Sequence, residues 1–267
     1  TYYSKPLNYK LTSFKDWARD LKLISNDIEK SGYVPLSIKN NYPSIENKKI
    51  FSPKYFERDS IIDKQIIISE DEIKNKYEHI SLKLGISNYI LTQFSLSLRE
   101  SLKIKHQQIS LESHGRSSEV TLIDPNLCLG WLTSIFPIEI NYESKKYINS
   151  KNDFEFVNKC SKIKNYGIDY GLSNFKNIKY NKNPILPSIL FNFLDEVDII
   201  FKQDIFISGN FHYRYNKKIG KIPYFLELFC FKQSKKYNFI FSYNTKALTS
   251  YEFESFIKIF TTKLTKF

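Results

Sequence analysis

Apolar residues recur at helical spacing over Phe14, Trp17, Ala18, Leu21 and Ile24, behind the hydroxyl pair Thr12-Ser13 and ahead of Gly32. The pattern predicts a capped amphipathic helix running through Asn26 to residue 30. Residues 33–60 carry Pro35, Pro43 and Pro53 among Asn, Ser and Lys and read as an irregular connector. A β-branched run at 64–68 predicts a strand, and Ser69 with Glu72 fits a capping box opening a short helix towards Tyr77. After a break at Gly85, the spacing of Ile90, Leu91, Phe94, Leu98 and Leu102 predicts a helix over 88–102 whose apolar stripe faces a sheet. Strands are expected near 107–113, 131–140, 188–194 and 204–212, with a helix near 153–164. Residues 222–231 and 236–243 form an expected antiparallel pair joined by Gln233-Ser234-Lys235-Lys236, and Ser250 is expected to cap a last helix. This alternation is α/β, a mixed sheet with flanking helices, and does not choose a function.

Composition narrows the class. With 267 residues, 42% of them hydrophobic, the chain can bury a large core, and its 22 Phe and 19 Tyr are spread along it as core residues would be. A formal charge of +12 raises nucleic acid or an anionic membrane as partners. Five of the 40 basic residues are Arg (Arg19, Arg58, Arg99, Arg116, Arg214), and the lysines lie in short scattered groups, so a solvated surface is expected, with no nucleic acid and no membrane as partner. Cys128, Cys160 and Cys230 are far apart, with no CxxC and no metal-spaced histidines, so reduced thiols and no metal are expected. No apolar run approaches the roughly 20 residues that span a bilayer, and a cytoplasmic location is expected. The start at Thr1 and the absence of Met lead us to expect a fragment of a longer product.

Five short stretches carry a resemblance. Leu111-Glu112-Ser113-His114-Gly115-Arg116 resembles an EGHGR motif, and Gly130 to Pro137, 14 residues after Arg116, resembles GWFTxxYP. Tyr166 to Gly171 is similar to GxGYG, Phe191-Asn192-Phe193-Leu194 to FNYLG, and Thr12 to Ala18 to TSFxxWA. In this order and spacing they resemble the epimerization domains of nonribosomal peptide synthetases. The resemblance implies a chloramphenicol-acetyltransferase-like condensation/epimerization fold of two lobes. Residues 1–60 would be the inter-lobe helix and connector, and 61–267 the C-terminal lobe. It also implies partners: a peptidyl carrier protein domain and an N-terminal lobe carrying HHxxxDG, a motif absent from this chain. No cofactor is expected to bind directly, since the substrate would ride on the carrier's phosphopantetheine. Ser113 stands where the motif has glycine, and Asp195 replaces the glycine of FNYLG; both bear on how a substrate fits.

Inverting an α-carbon requires taking a weakly acidic proton from one face and returning one to the other, so two proton carriers are needed. By the resemblance Glu112 is one of them, the catalytic residue, and the HHxxxDG histidine the other. A free glutamate of pKa about 4.3 is a poor base, so burial would have to raise it. Apolar and polar residues alternate over 109–112, which points Glu112 away from the core face. If the strand persists, His114 shares that face and can orient the carboxylate; a structural histidine is the alternative. Arg116 is expected to tie loops together by salt bridges at the strand end. Gly130 marks close backbone packing, and Trp131 either walls the phosphopantetheine tunnel or packs in the core. Asn192 either donates its amide to the substrate carbonyl or satisfies backbone groups, and Tyr170 belongs to the same pocket or packs. Two rival readings stand beside the epimerase: a condensation-type acyltransferase lobe, and a non-catalytic docking or scaffold piece.

Overall fold

The computed structural model describes residues 11–30, 56–79, 85–117, 121–142, 150–177, 187–196 and 221–266. They form helices α1 (Phe14–Lys30), α2 (Glu70–His79), α3 (Ile86–Ser101), α4 (Ser150–Ser161), α5 (Ile168–Asn177) and α6 (Ser250–Thr265). The strands are β1 (Phe56–Glu57), β2 (Ile61–Ser69), β3 (His106–Ser113), β4 (Ser134–Asn141), β5 (Ile189–Glu196), β6 (Lys221–Ile222), β7 (Leu226–Gln233) and β8 (Lys236–Asn244). The chain divides into two compact units, one of residues 1–39, 112–136 and 163–184, the other of 40–111, 137–162 and 185–267. No described helix is long and apolar enough to cross a membrane.

The second unit is built on a six-stranded sheet of order β2-β8-β7-β5-β3-β4. It is mixed, as expected: β3 runs parallel to β5 and β5 to β7, whereas β7–β8 and β8–β2 are antiparallel. The β7–β8 hairpin turns through Ser234 and Lys235, both at positive φ (49° and 60°), the geometry of a two-residue turn matched to strand twist. The predicted strand at 204–212 lies outside the described residues.

Aromatic residues make this core, as their spread along the chain implied. Phe94 of α3 lies 5.9 Å from Phe191 of β5 and meets Phe256 and Phe260 of α6 edge-on at 5.8 and 6.3 Å. Phe241 of β8 packs on Phe253, Phe256 and Phe260. These arrangements set ring edges against ring faces, which adds to the burial of apolar area. The buried Gln107 side chain is fully paired: it donates its amide to the Ser95 and Ile104 carbonyls at 2.8 and 2.9 Å and accepts from the Ser95 hydroxyl at 2.6 Å. Burial pushes the Cys160 thiol up to about 11 and Cys230 well above its ordinary value, so neither is readily ionised.

Local signals set the helix ends. Ser69 and Glu72 close the expected capping box, and the bonds from Ser69 hold the Glu72 carboxyl below its usual range. At α6 the cap is Thr249, not Ser250 as expected. Thr249 Oγ1 accepts from the Glu252 amide at 3.2 Å and the Glu252 carboxylate accepts from the Thr249 amide at 2.9 Å. Only a start at Thr249 puts a glutamate three residues on. Thr249→Ala is therefore expected to cost about 1 kcal/mol, read as a lower urea midpoint at unchanged slope.

In the first unit α1 packs alongside α5. The Ser13 hydroxyl accepts from the Asp16 amide at 3.0 Å, capping α1 where the hydroxyl pair predicted a start. α5 was not expected. Ile168, Leu172 and Phe175 recur there at helical spacing, a signal that the sequence reading passed over because Gly171 interrupts the segment.

Candidate functional site

β3 delivers Glu112 to the end of a strand whose other face is core. Leu111 pairs with Phe191, whose ring packs on Phe94, so alternation turns Glu112 to the opposite side. Its side chain is half-buried and engaged by neighbouring groups, not loose in solvent. The strand stops at Ser113. The face-sharing argument therefore does not reach His114, which is exposed and turned towards its own loop: its Nδ1 accepts the Arg116 amide N–H at 2.9 Å. A nitrogen that accepts in this way leaves Nε2 as the ring atom able to donate.

Gly115 makes the turn possible. Its φ is +64°, and a Cβ built there would stand 1.8 Å from the Leu132 carbonyl oxygen. The backbones of the ESHGR and GWLTSIFP stretches thus touch, with no room for a side chain. Arg116 fastens the same junction through carbonyls, a finer means than the salt bridges anticipated for it. Its guanidinium donates to the oxygens of Pro125, of Cys128 at 2.9 Å and of Gly130 at 3.0 Å. These planar donors hold the loop open, which explains why β4 begins at Ser134, three residues after the predicted start.

The other stretches meet the same loop. The Thr12 amide donates to the Leu127 carbonyl at 3.1 Å and its hydroxyl to the Asp124 carbonyl at 3.3 Å. Asp20 accepts from the Leu122 amide at 2.6 Å, and Asp124 caps the Pro125–Leu127 turn through the Asn126 amide at 2.9 Å. The Phe14 ring lies on Gly130, where an added Cβ would be 3.1 Å from Cδ2. Gly167, φ +73°, backs onto Phe136: a Cβ there would fall 1.9 Å from the ring. Four of the five stretches therefore converge within one unit, clasped by Arg116 and Thr12 and by Asp20 and Asp124, two anchors that the sequence reading did not single out. Nothing local marks them, because partners such as Asp20 and Leu122 stand 102 residues apart.

The remaining candidates are placed as follows. Trp131 is 86% exposed, so its indole is not part of this chain's core. Tyr170 is buried within α5 of the first unit. Asn192 lies half-buried on β5 of the second unit, on the face opposite Phe191.

No established family profile matches the chain. Sequence relatives include gramicidin S synthase 1 of Brevibacillus brevis, 25% identical over 213 residues that make up 74% of this chain and 19% of that protein. Tyrocidine synthase 1 of Brevibacillus parabrevis is 22% identical over 210 residues, again 74% of this chain and 19% of the relative. The chain thus spans about a fifth of the length of these curated relatives. In fold it is similar to the epimerization domain from the third module of tyrocidine synthetase B, with a TM-score of 0.73 at 17% identity, covering 97% of this chain and 59% of the other. It is also similar to the X-domain from teicoplanin biosynthesis, with a TM-score of 0.62 at 10% identity, covering 98% and 61%. The resemblance to nonribosomal peptide synthetases holds, and the fold is that of their condensation and epimerization domains.

Proposed function

We propose that this chain is the C-terminal part of an epimerization domain that converts an L-aminoacyl or peptidyl residue, held as a carrier-protein phosphopantetheine thioester, into its D form. The observation that carries the reading is the junction at the end of β3: Gly115 against Leu132 and Arg116 on Gly130 lock the strand end bearing Glu112 to the GWLTSIFP loop. Such locking gives a carboxylate a defined position before substrate arrives.

In the reaction the thioester carbonyl acidifies the α-proton. One carrier takes that proton, leaving a planar enolate, and a second gives up its own proton to the opposite face; within the substrate no bond other than α-C–H breaks or forms. Glu112 is one carrier and a histidine of the N-terminal lobe the other. Asn192 offers an amide that can hydrogen-bond the enolate oxygen, and Tyr170 is a further candidate for contact with the substrate. His114, able to donate through Nε2, stands near the strand end, and Trp131 belongs to the phosphopantetheine channel. The carrier domain and the preceding lobe are the partners, no cofactor or metal is held by the chain itself, and the site of action is the cytoplasm.

The test uses the full-length synthetase with its carrier charged with an L-aminoacyl group in deuterated water. We expect deuterium at the α-carbon and growth of the D product, and none with residues 1–267 alone. Amide formation with a second charged carrier, without exchange, would establish the condensation reading instead. Absence of both would leave the scaffold reading.

A further inference from the structure

Ser110 on β3 is fully buried, and among the described residues its Oγ meets no hydrogen-bond partner. Other buried hydroxyls in the second unit have acceptors. Thr92 donates to the Asn88 carbonyl at 2.7 Å, Ser97 to that of Gln93 at 2.6 Å, Ser95 to the Gln107 side chain and Ser242 to the Asp63 carboxylate, both at 2.6 Å. An enclosed hydroxyl gives up its bonds to water, and without a replacement it costs stability, so its retention calls for a use. The strand register shows what lies beside it. β3 and β5 run parallel, with Ser110 opposite Leu190 and Leu111 opposite Phe191. Ile109 and Leu111 go to the core face with Phe191, so Ser110 leaves on the other face, and Asn192, two residues beyond Leu190, leaves on that same face. Strand spacing and rise put the two Cα atoms about 8 Å apart, within the joint reach of a serine and an asparagine linked by a hydrogen bond of about 2.8 Å.

We propose that Ser110 is a positioning residue: its hydroxyl donates to Asn192 Oδ1 and so fixes which end of that amide meets the substrate; the inference rests on the function proposed above. A carboxamide has an accepting end and a donating end of nearly the same shape, and only the Nδ2 end stabilises an enolate oxygen. With Oδ1 turned outward, a lone pair would face the developing negative charge. The Ser110 hydroxyl selects against that arrangement. Were it to accept from Nδ2, its own proton would stay unpaired in an enclosed place; donation to Oδ1 satisfies that proton and sends Nδ2 towards the substrate. Asn192 is half-buried, so the bond forms by rotation about its side-chain torsions, while Ser110 stays fixed within the sheet. Ser110 itself is too enclosed to touch a substrate and acts only through the amide.

The test uses the full-length synthetase with its carrier charged with an L-aminoacyl group, reading α-proton exchange and urea midpoint for each variant. Ser110→Ala should lower kcat for exchange roughly tenfold, a part of the about 10²–10³-fold that a whole donor to a developing oxyanion supplies, with KM for the charged carrier unchanged. Its urea midpoint should stay level or rise, since the hydroxyl has no partner to lose. In an Asn192→Ala background, Ser110→Ala should change kcat by less than about twofold, because a residue acting through another has no separate effect once that other is gone. Exchange at the parent rate in Ser110→Ala overturns the proposal, as does an undiminished loss on top of Asn192→Ala, which would make the two residues independent. A lower urea midpoint assigns the hydroxyl a structural bond and overturns it too. A parent protein without exchange removes the epimerase reading and this inference with it, whereas parent exchange that Ser110→Ala leaves untouched removes the inference alone.

Discussion

Replacing Gly115 by alanine is expected to destabilise the first unit by roughly 3 kcal/mol or more, the sum of an unfavourable left-handed backbone and an overlap that cannot relax. The added methyl would stand 1.8 Å from the Leu132 carbonyl oxygen, 2.9 Å from its carbon and 3.3 Å from the Ser134 nitrogen. All three are backbone atoms. The peptide cannot swing aside, because Arg116 grips the Gly130 carbonyl on one side and β4 begins at Ser134 on the other. Gly171 supplies the control. It lies in α5 with nothing within 4 Å of its built Cβ, so Gly171→Ala should stabilise by about 0.5–1 kcal/mol through helix propensity. Urea denaturation of both variants measures the contrast, and equal midpoints would mean that the ESHGR and GWLTSIFP backbones do not touch as described.

Glu112→Gln in the full-length synthetase should lower α-proton exchange by about 10³-fold, within the range that general acid–base groups contribute. The amide matches the carboxylate in shape but cannot accept the proton. Stability should change little, because the side chain is only half-buried at a strand end. Reading exchange and urea midpoint together separates lost chemistry from lost fold. Exchange that persists at the parent rate in a stable Glu112→Gln protein would take Glu112 out of the reaction and leave β3 with a structural carboxylate.

Much of the fold was legible because its signals are local. The spacing of Ile90, Leu91, Phe94 and Leu98 marked α3 as a helix, although it is buried all round from Tyr89 to Leu98 and not only along that stripe, and the Ser69–Glu72 box marks the start of α2 within one turn of chain. The polar Gln233-Ser234-Lys235-Lys236 between two apolar runs predicted the hairpin, and the structure narrows its turn to Ser234 and Lys235. Where two hydroxyls stand side by side, as at Thr249-Ser250, sequence could place the cap only to within a residue, and the reach of the Glu252 carboxylate decided. α5 escaped notice although Ile168, Leu172 and Phe175 keep helical spacing, because the segment is short and carries Gly171.

The candidate site divides along the same line. Residue types and order alone singled out Glu112, His114, Arg116, Gly130 and Trp131, together with the alternation that turns Glu112 from the core. Only the folded chain decided that Arg116 grips three carbonyls, that His114 faces its own loop after the strand stops, and that Trp131 stands in the open. The reason is physical: strand faces, caps and turns are set by residues within a few positions of one another, whereas this junction is held by pairs such as Thr12 with Leu127 and Asp20 with Leu122. Over a hundred residues separate such partners, and their meeting costs loop-closure entropy that only the assembled core offsets.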